Sequence, residues 1–290
     1  MQARQRLPGT PEPMLCWPGP DGNRLCADAW GDPAAPPVVL LHGGGQTRHA
    51  WRHTARRLAE AGLHAVAYDA RGHGDSDWVA DGDYSEDAML RDLACVIQAA
   101  GGRPPVLIGA SIGGIAALLA LGEGVVQASA LVLADVVPSV VPAGSQRVRA
   151  FMAAHADGFA SLDEAAQAIG RYQGAARASR NPGGLAKNLR RGADGRLYWH
   201  WDPRFLEHRD NLDARRQRLL ASACRLAVPT LVVRGGGSDV VSDEGVREFQ
   251  ALNPLVQAAD LADTGHMLTG DDNDAFGRMA LAFIGCQYGG

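Results

Sequence analysis

Short, uninterrupted runs of apolar residues recur along this chain. The first, Pro-Val-Val-Leu-Leu at residues 37–41, contains no polar position, as expected of a strand buried on both faces of a sheet. Residues 24–30 are predicted to form an edge strand. The same apolar pattern predicts further buried strands at residues 65–68, 105–109, 130–134, 230–233 and 257–261.

Helical segments separate most of these strands. Strands that alternate with helices form βαβ units, so the pattern predicts an α/β fold with a mostly parallel β-sheet flanked by helices. The helices are predicted at residues 48–61, 86–100, 112–121 and 274–284.

The alternation stops between residues 138 and 226. That stretch reads as helices, for example at 146–154 and 162–172, followed by the aromatic run Tyr-Trp-His-Trp at 198–201. An insertion here would lie over the carboxyl ends of the strands, where open α/β sheets place their sites. We therefore predict an α/β core at 1–137 and 227–290, with a helical cap (lid) at 138–226.

Composition narrows the class of partner. A net charge of -4 and a pI of about 6.1 give no basic surface for nucleic acid or for an anionic membrane. The longest uncharged apolar stretch, 106–122, is just short of a membrane span and contains several glycines. A small-molecule substrate is the expected partner, and a homodimer is left open.

The cysteines and the lysine exclude several chemistries. The five cysteines are scattered and contain no CxxC pair, which favours reduced thiols and a cytoplasmic protein. The N-terminus lacks the apolar segment of a secretory signal. Lys187, the only lysine, lies in Ala-Lys-Asn within a polar segment. This position fits neither a P-loop nor an enzyme that forms a Schiff base, since both need a lysine amine at a specific place in the site.

A nucleophile elbow is the strongest chemical signal. Gly-Ala-Ser-Ile-Gly at 109–113 matches G-x-S-x-G and lies between an apolar strand and an Ala/Leu-rich helix. A sharp turn there exposes the Ser111 hydroxyl at the N-terminus of a helix, whose dipole favours negative charge. The alternative is a Gly/Ser turn without chemistry.

Glycines at the end of an earlier strand fit an oxyanion hole. In His-Gly-Gly-Gly at 42–45, the missing side chains let the backbone approach a substrate. The N–H groups of Gly44 and Ile112 would then be the donors. His42 is interpreted as structural, and a flexible connection is the alternative for the loop.

The order of the remaining candidates fits a serine triad. Asp239 follows the strand at 230–233, and His266 follows the strand at 257–261. The order Ser111, Asp239, His266 is the one this class of fold uses, with the carboxylate orienting the imidazole. Asp135 is the rival acid.

Five motifs together resemble the capped α/β-hydrolase superfamily. The resemblance implies the triad, the oxyanion donors and a helical cap, and it makes His73 part of a structural turn. Epoxide hydrolases and haloalkane dehalogenases of the superfamily use an aspartate where this chain has Ser111, which argues against both. The motifs are His-Gly-Gly-Gly-Gln (42–46), Asp-Ala-Arg-Gly-His-Gly-Asp-Ser (69–76), Gly-Ala-Ser-Ile-Gly-Gly (109–114), Gly-Ser-Asp (237–239) and Gly-His (265–266).

The expected activity is hydrolysis of a carboxylic ester or lactone through an acyl-enzyme, without a metal or organic cofactor. The same triad serves C–C bond hydrolysis, amide hydrolysis and perhydrolysis, and a small-molecule receptor with slow turnover is the alternative from another class. The pair His49 and His53 lacks the glutamate of a zinc motif. Packing of the cap on itself is an equal alternative for the tryptophans among the pocket candidates, which are Gly45, Trp199, Trp201 and Met267.

Overall fold

A central sheet dominates the computed structural model, which describes residues 5–173, 182–207, 211–262, 265 and 274–288. Its strand order is β11-β10-β7-β6-β4-β5-β3-β2, and the pairs from β11 to β5 are all parallel. The strands are β2 (Leu15–Pro18), β3 (Arg24–Trp30), β4 (Pro37–Leu41), β5 (His64–Tyr68), β6 (Val106–Ala110), β7 (Ala130–Ala134), β10 (Thr230–Gly235) and β11 (Val256–Leu261).

One end of the sheet differs from expectation. The strand β3 pairs antiparallel with β5 on one side and antiparallel with β2 on the other. The prediction that 24–30 forms an edge strand was therefore wrong, because β2 covers it. The short segment Leu-Cys-Trp-Pro of β2 has no sustained apolar alternation that would have revealed it.

Helices cover both faces of the sheet. The helices α1 and α8 share one apolar core, which includes Trp51 and Phe276, with one face of the strands. The helices α2, α3, α6 and α7 share the other core. The helices are α1 (Arg52–Glu60), α2 (Glu86–Ala99), α3 (Ile112–Gly122), α4 (Pro142–Ala153), α5 (Leu162–Gln173), α6 (Leu212–Arg225), α7 (Asp243–Leu252) and α8 (Asp274–Tyr288).

The insertion is built from both helices and strands. The helices α4 and α5 pack with a small sheet in which β8 (Leu189–Arg191) lies between β9 (Leu197–Trp199) and β1 (Gln5–Arg6). The cap is therefore not wholly helical.

The packing of the side chains does not follow either border of the predicted cap. Leu7, near the N-terminus, is 6% exposed within the apolar cluster of the cap. At the other border, α6 packs on α3 in the main core, since a Cβ added to Gly122 would lie 2.4 Å from the Ser222 carbonyl oxygen. That residues 138–226 form a domain separate from the core remains a prediction.

The cysteines correct a further expectation. Cys16 and Cys26 occupy opposite positions of β2 and β3 and form a disulfide, so the prediction of reduced thiols was wrong for this pair. Their spacing of ten residues carries no motif, and only the pairing of the hairpin brings the sulfurs together. None of the helices that the structure describes has the length and apolar character that a bilayer crossing requires.

Candidate active site

The turn between β6 and α3 has the geometry of a nucleophile elbow. Ser111 has φ 47° and ψ -121°, a region that residues with a side chain rarely adopt. A Cβ added at Gly109 would lie 2.5 Å from Cα of Gly114, and one at Gly113 would lie 2.6 Å from the Leu41 carbonyl oxygen. The glycines therefore allow the strand, the turn and the helix to approach one another.

The glycine loop after β4 lies beside this serine. A Cβ added at Gly43 would be 3.3 Å from Cβ of Ser111, and one at Gly44 would be 3.8 Å from Cδ1 of Ile112. The two predicted oxyanion donors therefore belong to segments that meet next to Ser111. Met152 of α4 also faces this loop, with its sulfur 3.4 Å from the added Cβ of Gly44.

His42 has a structural role, as interpreted from the sequence. The Ala70 N–H donates to Nε2 over 2.9 Å, so the ring proton lies on Nδ1 and is donated to the Gly43 carbonyl over 2.8 Å. Burial lowers the pKa of His42 to about 4 and that of His73 to about 3. Both imidazoles are neutral near pH 7, and neither has a nitrogen free for proton transfer.

Two carboxylates compete for the role of triad acid. Asp239 follows β10, keeps 34% of its side chain exposed and forms an ion pair of 2.9 Å with Arg147 of α4. Asp135 follows β7, is 1% exposed and has φ 55°. It accepts hydrogen bonds from the Gly235 N–H (3.0 Å) and the Ser238 hydroxyl (2.5 Å). Asp135 thus braces the loop that carries Asp239.

Two predicted site residues lie outside the described part of the chain. His266 and Met267 lie outside the described residues, and Gly265 is the nearest described neighbour of His266. The role of His266 as general base, and that of Met267 in the pocket, remain predictions.

The two cap tryptophans take different positions. The Trp201 ring lies 3.2 Å from a Cβ added at Gly45, so this indole contacts the glycine loop. Trp199 stacks on Trp201 with the ring centres 4.9 Å apart, and it forms a T-shaped contact with Phe159 in the cap core. Trp199 therefore packs within the cap, the alternative that the sequence left open, whereas Trp201 and Met152 contact the glycine loop.

A buried polar interface seats the cap on the turn at 69–76. Arg190 of β8 is 6% exposed and donates to the Gly74 carbonyl over 2.6 Å. On the same turn, the fully buried Asp69 accepts from the backbone N–H and the guanidinium of Arg48. These contacts agree with the structural role expected for the turn.

The possible zinc pair, His49 and His53, does not belong to a larger group of metal-binding side chains among the described residues. His49 is 4% exposed with Nδ1 3.6 Å from the Asp28 carboxylate, and burial lowers its pKa to about 4. In the part of the chain that the structure describes, no three or more His, Cys, Asp or Glu side chains converge as a metal site would require.

Known proteins share both the sequence pattern and the architecture. The model of the alpha/beta hydrolase fold family matches residues 36–272. Esterase Rv0045c of Mycobacterium tuberculosis is 30% identical over 275 residues, covering 88% of this chain and 86% of that protein. A 3-hydroxybutyrate-oligomer hydrolase of Cupriavidus necator is 28% identical, covering 85% and 88%. An alpha/beta hydrolase from Novosphingobium aromaticivorans superimposes with a TM-score of 0.77 at 26% identity, covering 93% and 96%.

Proposed function

Because this chain belongs to the alpha/beta hydrolase fold family, we propose that it is a serine hydrolase that cleaves a carboxylic ester, with Ser111 as the nucleophile. The observation that carries the proposal is the strained turn that places the half-buried Ser111 beside the glycine loop. A backbone strained in this way persists where the surrounding structure enforces it, which is common at active sites.

The proposed chemistry is acyl transfer by the candidate triad. Ser111 attacks the ester carbonyl while His266 accepts its proton, and the developing oxyanion binds the N–H groups of Gly44 and Ile112. His266 then returns the proton to the leaving alcohol. Water attacks the acyl-enzyme in the same manner and releases the acid.

An ester is favoured over the other bonds that such a triad can cleave. Two relatives that the chain covers over most of their length are an esterase and a hydrolase of 3-hydroxybutyrate oligomers. We extend the proposal to lactones, since their ring opening is the same acyl transfer. Hydrolysis of C–C or amide bonds, perhydrolysis and a slow small-molecule receptor are the outcomes to be separated by experiment.

Pre-steady-state kinetics with p-nitrophenyl acetate test the proposal. We expect a burst of about one p-nitrophenolate per protein, because acylation precedes the slower release of the acid. A fluorophosphonate applied first should abolish the burst and add its mass to the peptide that contains Ser111. The same protein tested on panels of esters, lactones, amides and diketones ranks the bond types. Absence of both turnover and labelling would favour the receptor.

The cap is proposed to set substrate preference. Trp201→Ala should change the ratio of kcat/KM between long-chain and short-chain esters by roughly 1–3 kcal/mol, or about 5- to 150-fold, since Trp201 lies against the glycine loop. Trp199→Ala should have a smaller effect, because Trp199 supports Trp201 from within the cap. Labelling of Ser111 by a small phosphonate is the control and should change little. If both variants fold and keep the wild-type ranking, the cap does not set preference through these residues.

The compartment and the oligomeric state are proposals that rest on the sequence. We propose a cytoplasmic protein that acts on a small molecule, without a nucleic-acid or membrane partner, and a homodimer is the alternative to a monomer. Because disulfides persist mainly in oxidising surroundings, the state of the Cys16–Cys26 pair in the cell tests the proposed compartment. Thiol alkylation in freshly lysed cells, followed by mass spectrometry, determines whether this pair is reduced.

A further inference from the structure

Three imidazoles hold three successive peptide groups of the glycine loop. The Gly43 carbonyl accepts from His42, over 2.8 Å. The Gly45 N–H donates to Nε2 of His73 over 3.2 Å. The Gly45 carbonyl faces Nε2 of His200 at 3.1 Å. His42 and His73 belong to the core, whereas His200 comes from the cap.

The tautomer of His200 follows from its second partner. The Gly74 N–H donates to Nδ1 of His200 over 2.7 Å, and because an amide N–H cannot accept, Nδ1 carries no proton. The proton of the neutral ring is therefore on Nε2, and it is donated to the Gly45 carbonyl. The side chain is 1% exposed, and burial, with a smaller contribution from the charge of the nearby Arg190, lowers the pKa of His200 well below its usual value. The ring stays neutral and keeps this donor.

These bonds decide where the Gly44 N–H points. A trans peptide is planar, so its N–H is directed opposite to its C=O. Fixing the Gly43 carbonyl on His42 therefore aims the Gly44 N–H away from that ring. The next two peptide groups contain Gly45, which has φ 72° and no side chain that could hold it. The Gly45 N–H is bonded to His73, and the Gln46 N–H also donates to the Gly43 carbonyl over 3.0 Å. The bond from His200 adds a restraint from the cap at the Gly45 carbonyl. Its loss would let the peptide group between residues 45 and 46 rotate and would shift the neighbouring Gly44 N–H.

We propose that His200 is a positioning residue for the oxyanion hole, acting through its hydrogen bond to the Gly45 carbonyl. This inference rests on the proposed function, in which the Gly44 N–H stabilises the oxyanion. Since His200 lies in the cap, the direction of the Gly44 N–H depends on how the cap packs on the core. Substrate binding under the cap and activation of the carbonyl are thereby linked through one imidazole.

The segment around His200 has other attachments to the core. The Trp78 indole N–H donates to the backbone carbonyl of His200 over 3.2 Å, and the buried Asp202 accepts from the Tyr84 hydroxyl over 2.6 Å. Arg190 also binds the turn at 74–75. These bonds do not involve the imidazole, so a change of the ring leaves the main attachments of the cap in place.

Replacing His200 by asparagine and by glutamine distinguishes a role in positioning the glycine loop from a purely structural role. In His200→Asn, the amide oxygen can take the place of Nδ1 and accept from Gly74, but the shorter side chain does not reach the Gly45 carbonyl. In His200→Gln, the longer side chain can place an N–H at the position of Nε2 and keep the bond to Gly45. We expect His200→Asn to lower kcat by about 10- to 100-fold with KM within about threefold, a fraction of the loss caused by removing an oxyanion donor. His200→Gln should recover most of that loss.

The matched control is His64→Gln. His64 is 7% exposed and starts β5, at the opposite end of the strand from the turn at 69–76, so its replacement should leave kcat unchanged. Melting temperatures of all the variants report whether each remains folded. His200→Phe, which removes both bonds, gives a further comparison if one of the amide variants does not fold.

The outcomes distinguish this inference from the proposed function. If a fluorophosphonate fails to label Ser111 in the wild-type protein, the proposed function is wrong. If Ser111 is labelled and His200→Asn keeps the wild-type kcat, or if the Asn and Gln variants lose activity equally while folded, His200 does not position the oxyanion hole. A loss confined to KM would likewise overturn the inference.

Discussion

Replacing Ser111 by alanine should lower kcat by about 10⁴-fold or more, as in triad knockouts of other serine hydrolases. Alanine removes the hydroxyl that forms the acyl-enzyme, and it keeps a Cβ in the same strained backbone position, with φ 47°. Stability should therefore change little compared with the loss of activity. Steady-state kinetics with a p-nitrophenyl ester measure the loss, and thermal unfolding confirms that the variant is folded.

A serine within the cap provides the control. Ser145 of α4 donates its hydroxyl to the carbonyl of Val141 at the start of the same helix, so Ser145→Ala should retain activity. A fluorophosphonate should modify Ser111 in the wild type and in this control, and should modify nothing in Ser111→Ala. Activity retained without Ser111, or a label on another serine, would contradict the proposed mechanism.

The central sheet could be predicted because its strands are locally distinctive. A parallel strand buried on both faces must be apolar throughout, and β7 (Ala130–Ala134) lies where its apolar run predicts. The alternation of strands and helices predicts the mostly parallel sheet, since βαβ units connect parallel strands, but it does not specify the order of the strands.

The elements at the N-terminus could not be predicted in this way. The strand β1 has two residues, and its partner β8 is more than 180 residues further along the chain. Such pairing depends on the assembled cap and leaves no local pattern in Gln5 and Arg6. The Cys16–Cys26 disulfide has the same origin, because the register of β2 on β3 aligns the two residues.

The site was predictable where the backbone imposes a residue type. The elbow requires glycines around Ser111, and the loop requires Gly43–Gly45, so both appear as short motifs. Met152 and His200 reach the loop from the cap, where no motif fixes their positions. The signal for His200 in the sequence is its place between Trp199 and Trp201, two candidate residues of the pocket.

Asp239→Asn should also lower kcat by about 10⁴-fold, because an amide cannot hold the imidazole of His266 in the tautomer that accepts the Ser111 proton. The ion pair with Arg147 uses Oδ2 of Asp239, which leaves Oδ1 as an acceptor. The variant should fold, since the side chain is partly exposed. Comparison of kcat with that of Asp135→Asn on one ester is the measurement.

Asp135→Asn is a demanding control for this assignment. Asparagine tolerates the left-handed backbone at φ 55°, and its one amide oxygen can still accept from the Gly235 N–H. The bond to the Ser238 hydroxyl would be weakened, so we expect a modest loss of stability and a loss of kcat far below that of Asp239→Asn. Should the ranking be reversed, with both variants folded, the acid would be the buried carboxylate at the end of β7. Asp239 would then serve through its ion pair with the cap.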